Sequence, residues 1–299
     1  MAEYGKDWII ENSVKILETY SGDQITVRQL YYRLVSIGYP NNIPAYKRVV
    51  DSTSKARWDN QIEFDAFIDR ERTLYGRTAW EPKDLKSEIA HAKNQVKAWL
   101  SSYGLNRWSN QNQYVEVWIE KKALQGVFER PCLYKSVALA PCKGYPSLTF
   151  LNEAFERLSE VEGQGKEITI IYFGDYDPSG EDIPRSLKDN LSRMGIDIEV
   201  ERIGLTPEQI AKYKLPGVPA KTTDSRTAAW SGSEAVELDA MDPKDLVKLC
   251  EDAIERHFDR DLYQDLKNTE MAQRLKYKAA LVEWVANDMP DDQDDEAGA

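Results

Sequence analysis

Ile168-Thr-Ile-Ile-Tyr-Phe-Gly-Asp-Tyr-Asp-Pro-Ser-Gly180 decides the reading of the chain. Residues 168–173 are β-branched, aliphatic or aromatic and carry no charge, the signature of a short buried strand in a parallel sheet. The stretch then turns abruptly polar. Asp175 and Asp177 lie two apart, Pro178 and Gly180 make a turn, and a helix pattern runs from about Glu181 to Met194. Ligands of open α/β sheets sit at the carboxyl ends of strands. Two carboxylates there supply the hard oxygen atoms that suit Mg²⁺. The same residues also read as a helix entry, with Asp177 as N-cap and Asp175 solvated.

Working outward, strand and helix patterns alternate. Tyr114–Ile119 and Ser136–Pro141 read as strands before the opening stretch, and Ile196–Ile203 as one after it. Helices are predicted from Glu120 to about Glu129, over 148–160 and over 243–257. Strands separated by helices of this length imply parallel βαβ units with helices on both faces. Glu120 then ends the first strand as Asp175 and Asp177 end the third. If those strands are neighbours, three carboxylates meet at one edge of the sheet. Glu237, in Ala235-Val-Glu-Leu-Asp-Ala240, reads equally as a fourth member of that cluster or as a cap. In the loop 214–223 and just beyond it, Lys221, Asp224 and Arg226 read as solvated or as phosphate contacts. A last amphipathic helix is predicted over 262–287.

The N-terminal third differs. Residues 7–20 have a helical apolar face, and Thr26-Val-Arg-Gln29 has the form of a capping box. In the helix it opens, Val27, Leu30, Tyr31, Leu34 and Val35 form the buried stripe. Tyr32 is displaced from that stripe by about 100°. It shares a face with Arg28, one turn earlier. A tyrosine there reads as a nucleophile beside a phosphate clamp, or as a surface residue packing on a neighbour. A turn at 37–42 leads to a second helix, from about Ala45 to Trp58. Two short helices and a turn, the second basic, resemble a helix-turn-helix or winged-helix module. Asp69-Arg-Glu-Arg72 reads as a strand or loop end, and 83–103 as a helix. The polar run Asn106–Gln113 is the expected domain boundary, giving a DNA-binding domain over 1–105 and a sheet domain over 114–287.

Charge distribution bears on the partner. The chain has 299 residues and a net charge of −12, which argues against nucleic acid. Yet residues 1–113 hold 16 Lys+Arg against 14 Asp+Glu, while six acids crowd Asp288–Glu296, a solvating tail expected over 288–299. Between residues 28 and 57, Arg28, Arg33, Lys47, Arg48, Lys55 and Arg57 face one acid, Asp51. Local charge decides whether a phosphate backbone is attracted, so this region is expected to bind double-stranded DNA in a salt-sensitive way. Cys132, Cys142 and Cys250 lack metal-site spacing and fit reduced thiols in a cytosol. With only His91 and His257, a histidine-rich zinc site is not expected. No apolar run reaches the roughly 20 residues of a membrane span.

Arg28-Gln-Leu-Tyr-Tyr32, Val117-Trp-Ile-Glu-Lys121, Lys143-Gly-Tyr-Pro146, Gly174-Asp-Tyr-Asp-Pro-Ser-Gly180 and Val236-Glu-Leu-Asp-Ala240 occur in this order. The ordered set resembles the A subunit of topoisomerase VI and the related meiotic double-strand-break transesterases. The resemblance implies a winged-helix-like domain followed by a Toprim domain, a Rossmann-like parallel sheet. It implies DNA cleavage with Tyr32 as the nucleophile forming a 5′-phosphotyrosine link and Arg28 beside it. Glu120, Asp175 and Asp177 match the acids that bind Mg²⁺ (or Mn²⁺). A homodimer sharing its tyrosines and metal sites is also implied. The chain departs from the family in reading Ser-Leu-Thr-Phe150 after the Gly-Tyr-Pro turn, where an arginine is usual, and in a short segment after Tyr32. It contains no Gly-x-x-x-x-Gly-Lys, so strand passage would need a separate ATPase subunit. Stand-alone proteins of this kind are typical of phages and mobile elements, which makes a bacterial or phage-encoded, nucleoid-associated cytoplasmic protein the expectation. Two alternatives stand beside transesterification: a Toprim nuclease that hydrolyses DNA without the tyrosine, and a non-catalytic DNA-binding regulator. An aspartyl-phosphate phosphatase loop at Asp175–Ser179 leaves Glu120, Arg28 and Tyr32 without roles.

Overall fold

The computed structural model describes residues 4–20, 24–68, 85–219, 230 and 234–287. Asp69–Arg72, Lys221, Asp224, Arg226 and the acidic run 288–296 lie outside the described residues. The chain divides into two compact units, Met1–Thr73 with Asn112–Phe258, and Leu74–Gln111 with Asp259–Ala299.

The first unit is α/β. Its sheet is parallel, in the order β2-β1-β3-β4, with β1 Gln113–Ile119, β2 Ala138–Pro141, β3 Glu167–Phe173 and β4 Glu199–Gly204. Val117, Trp118, Ile119, Ile170, Ile171, Tyr172 and Phe173 are fully buried, as both faces of a covered parallel sheet require. Two strands start later than their patterns suggest. Ser136 is not in β2; it ends the preceding helix in a left-handed conformation, φ 55°. Ile196 and Ile198 are buried ahead of β4, packed on the same core as Leu187 and Leu191. The helix after Glu120, Gln125–Lys135, continues through Pro131 beyond its predicted end.

Three helices precede the sheet: α1 Lys6–Glu18, α2 Val27–Ser36 and α3 Ile43–Trp58. Thr26 and Gln29 form the reciprocal capping box. Leu30, Tyr31 and Leu34 are buried as the stripe predicts, but so are Gln29 and Tyr32. The stripe is therefore only half of the buried surface. The opposite side of α2 packs against a 3₁₀ turn, Leu238–Ala240. A helix enclosed on two sides is a central element, not a surface one.

The second unit is helical among its described residues. Its helices Leu85–Ser101 and Arg260–Asn287 pack on each other. The rings of Tyr103 and Tyr277 lie 5.1 Å apart. Glu270 accepts from the Leu105 backbone N–H at 3.1 Å.

Candidate functional site

The site begins with register. Ile119 of β1 pairs with Phe173 of β3, so the two strands end level. The Glu120 N–H donates to the Phe173 carbonyl at 2.8 Å. The adjacency on which convergence of the carboxylates depends is therefore present. The Asp175 N–H donates to Glu120 Oε2 at 2.9 Å. Beyond β3 the loop is clamped by Arg202 of β4, whose guanidinium donates to the carbonyls of Asp175 (2.8 Å), Leu205 (2.9 Å) and Gly180. Asp177 caps the helix Pro178–Met194, its Oδ1 accepting from the Gly180 N–H at 2.7 Å. Asp175 is not solvated: it is 8% exposed. The remaining oxygens of Glu120 and Asp177 accept no hydrogen bond among the described residues.

Two glycines let these groups meet. A Cβ on Gly180 would stand 2.3 Å from the Asp175 carbonyl oxygen and 3.1 Å from Glu120 Oε2. On Gly174 it would stand 2.8 Å from the same Glu120 oxygen. Gly180→Ala is expected to destabilise the protein by roughly 1–3 kcal/mol, the usual range for overpacking, read as a lower urea midpoint. A midpoint equal to wild type would show that this approach is not constrained.

A distant segment completes the site. Tyr176 and Val236 exchange backbone hydrogen bonds of 2.8 and 3.0 Å, and the Leu238 N–H donates to Asp175 Oδ1 at 2.7 Å. This bridge carries Glu237 and Asp239 to the end of the sheet. Lys121 meets them there. Its Nζ lies 2.9 Å from Asp175 Oδ2, 3.0 Å from Asp239 Oδ2 and 3.2 Å from Glu237 Oε2. Glu237 uses its other oxygen to hold Arg28 of α2. The chain of ion pairs thus runs from the helix carrying Tyr32 to the acids of β3. Lys121 and Asp239 are absent from the predicted site. The signal available for Lys121 was its position next to Glu120, and for Asp239 its spacing of two from Glu237.

Tyr32 faces this network although it is only 5% exposed. Burial and then the Glu237 charge push its hydroxyl above the ordinary tyrosine value; Arg28 and Lys121 pull the other way. Its position off the stripe of α2 does not make it an outward surface residue, because the 238–240 turn covers that face. The predicted DNA-binding residues separate into two groups. Lys47, Arg48 and Lys55 are exposed on α3, and Arg57 lies half-buried over the Phe67 ring. Arg33 instead braces the fold, pairing with Asp242 at 3.3 Å and donating to the Ala240 carbonyl.

Burial and the Asp175 charge push the Glu120 carboxyl up to about 7, although the Asp175 N–H opposes the shift. The folded carboxyl holds its proton more tightly than the unfolded one, whose value is 4.5. Folding therefore takes up a proton between about pH 4.5 and about 7, and this contribution to stability is lost as pH rises through that window. Glu120→Gln is expected to flatten that part of the urea-midpoint profile of ion-free protein. An unchanged profile would place the titration elsewhere.

A cleft of about 490 Å³ opens over the site, lined by Arg28, Glu120, Lys121, Lys122, Ala123, Lys143, Gly144 and Asp239. Lys143 and Gly144 arrive because the chain leaving β2 runs beside Glu120, with the Gly144 N–H donating to its carbonyl at 3.2 Å. Four cationic side chains around an acidic floor suit a polyanion that is bound together with a metal cation. Among the described residues no group of three His, Cys, Asp or Glu side chains is placed to hold a metal ion. The Lys121 ammonium fills the point on which Asp175, Glu237 and Asp239 converge. Asp239 is 1% exposed and its Oδ1 has no hydrogen-bond partner among the described residues. Comparison with known protein families and with curated proteins finds no match for this chain.

Proposed function

We propose that the protein is a DNA-cleaving enzyme resembling the topoisomerase VI A subunit, with a Toprim-type sheet and a helical DNA-binding region. The observation that carries this reading is the chain of charges that links Tyr32 and Arg28, through Glu237 and Lys121, to Asp175 at the end of β3, beside a cleft lined by four cations. In the proposed reaction the Tyr32 oxygen attacks a backbone phosphorus. An O–P bond forms to tyrosine, the P–O3′ bond breaks, and the departing 3′ oxygen takes up a proton. Arg28, Lys122 and Lys143 bind the phosphate and offset its growing charge. Arg28 and Lys121 also favour loss of the Tyr32 proton, against burial and Glu237. Glu120, Asp177 and Asp175 would hold Mg²⁺ or Mn²⁺, which supplies Lewis-acid stabilisation of the phosphoryl oxygens. The exposed cations of α3 extend the grip along double-stranded DNA.

A homodimer belongs to this reading. In the second unit Leu85, Ile89, Val96 and Trp99 recur along one side of their helix and are exposed, as a stripe that meets a second copy would be. A separate ATPase subunit is proposed only for strand passage, and the phage or nucleoid setting stays with the resemblance. No helix among the described residues is long and apolar enough to cross a membrane.

The burial of Tyr32 favours a second reading, in which the same acids support hydrolysis by water and Tyr32 only packs. End-labelled duplex DNA with Mg²⁺ or Mn²⁺, quenched in detergent, tests both. Protein-linked 5′ ends are expected. Free ends would favour hydrolysis, and intact DNA that is nevertheless bound would favour a regulator.

A further inference from the structure

The chain reverses direction at the end of α3. Asn60 takes a left-handed conformation, φ 56°, and Ile62 is buried against Ile10 and Ala56. That reversal brings Phe64 back onto Trp58, with ring centroids 5.3 Å apart and planes at 81°. An edge-to-face pair leaves at least one face of each ring untaken. Both rings remain in water: Trp58 is 77% exposed and Phe64 55%. Apolar side chains exposed singly are ordinary, but two aromatic rings held together in water mark a contact surface. A second observation lies one turn back along α3. Lys55 stands three residues before Trp58, on the same side of the helix, and meets the Lys6 ammonium at the start of α1. Partial desolvation and then the Lys55 ammonium hold Lys6 below the ordinary lysine value; Asp59 and Asp7 oppose the shift without reversing it. Two ammonium groups brought together are stabilised by an anion shared between them. Glu63 and Asp65 flank Phe64 in the chain and are exposed, so an anion is favoured at the lysines and not beside Phe64.

We infer that Trp58 and Phe64, with Lys6 and Lys55, form a site for an unpaired nucleotide of DNA. None of the four lines the cleft at the strand ends, so the site is a separate one. The base stacks on the Trp58 ring and its phosphate lies between the two ammonium groups. Stacking accepts any base, because every base has a π-face, and the lysines accept any phosphate. The site therefore reads strand state and not sequence. A paired base keeps its faces inside the duplex stack and cannot use the rings. Lys47 and Arg48, exposed earlier on the same helix, supply positive charge for a flanking duplex. The inference deepens the proposed function by naming locally unpaired DNA as the substrate class. It rests on that function for the link to cleavage; its test reads binding alone.

With metal ions chelated, the full chain is titrated into a fluorescent blunt duplex and into the same duplex carrying an internal bubble of unpaired thymidines. Wild type is expected to bind the bubble about tenfold more tightly or better, the scale of one stacked base. Trp58→Ala is expected to bring that ratio near one, and Trp58→Phe to keep most of it. Lys6→Met/Lys55→Met is expected to flatten the salt dependence of bubble binding by about one phosphate contact. A wild-type ratio near one, or a ratio that Trp58→Ala leaves unchanged, overturns the inference and leaves the proposed function standing. Equal binding of the two duplexes with a smaller assembly for Trp58→Ala overturns it in favour of a second copy of the chain on the aromatic pair. Binding of neither DNA overturns both. Should Trp58→Ala fail to fold, wild type decides by photocross-linking from 5-iodouracil placed in the bubble. Cross-links to the peptide carrying Trp58 or Phe64 are expected, and cross-links only to other peptides overturn the inference.

Discussion

Tyr32→Phe is expected to lower the yield of protein-linked DNA ends by about 10³-fold or more, the scale seen when a covalent nucleophile is removed. Stability should change little, by about 1 kcal/mol or less, because the ring still fills its place under the 238–240 turn and only a hydroxyl is lost. That separation of effects makes the variant informative. Opposing influences act on the Tyr32 hydroxyl. It stands beside Arg28 and within the field of Lys121, which favour an oxyanion; burial and Glu237 favour the neutral phenol. A substrate phosphate drawn into the cleft would compete with Glu237 for Arg28 and Lys121 and alter that balance. A Tyr32→Phe protein that binds DNA and still makes free ends would assign the cleavage to water.

Asp175→Asn is the second large effect. Asparagine keeps an oxygen that can accept from the Leu238 N–H, so the bridge to the 236–240 segment is retained. It removes the charge that faces Lys121 and the proposed ion. Cleavage is expected to fall on the order of 10²-fold or more, the scale of losing one group that stabilises transition-state charge. Protection from thermal unfolding by Mg²⁺ should fall with it. Cleavage at the wild-type rate would remove Asp175 from the proposed chemistry.

Much of the framework could be read from local pattern. Residues 168–173 of β3 carry no charge because both faces are covered, and Thr26 and Gln29 announce a helix start through two reciprocal hydrogen bonds. Pro178 after Asp177 places the start of the following helix equally well. What local pattern does not contain is tertiary partnership. A helical stripe tells which side of α2 is apolar, but nothing in residues 27–36 reports that the segment 237–242, some 200 residues later, packs on α2 and pairs with Arg28 and Arg33. Glu237 and Asp239 reach the sheet through a backbone bridge to Tyr176 and the Leu238 N–H bond to Asp175, contacts with no periodicity to betray them. The inward turn of Lys121 is hidden for a related reason. A lysine after a strand reads as solvated, and only the assembled acids make its partial burial favourable.

In the proposed reaction Tyr32 joins DNA covalently. The most direct measurement incubates the full chain with duplex DNA and Mg²⁺ or Mn²⁺, quenches with detergent, digests protein and DNA, and weighs the peptide containing Tyr32. A nucleotide linked through a 5′-phosphate to Tyr32 is expected, and is expected to be absent when the ion is chelated. Cleaved DNA with free 5′-phosphates and an unmodified Tyr32 peptide would contradict it.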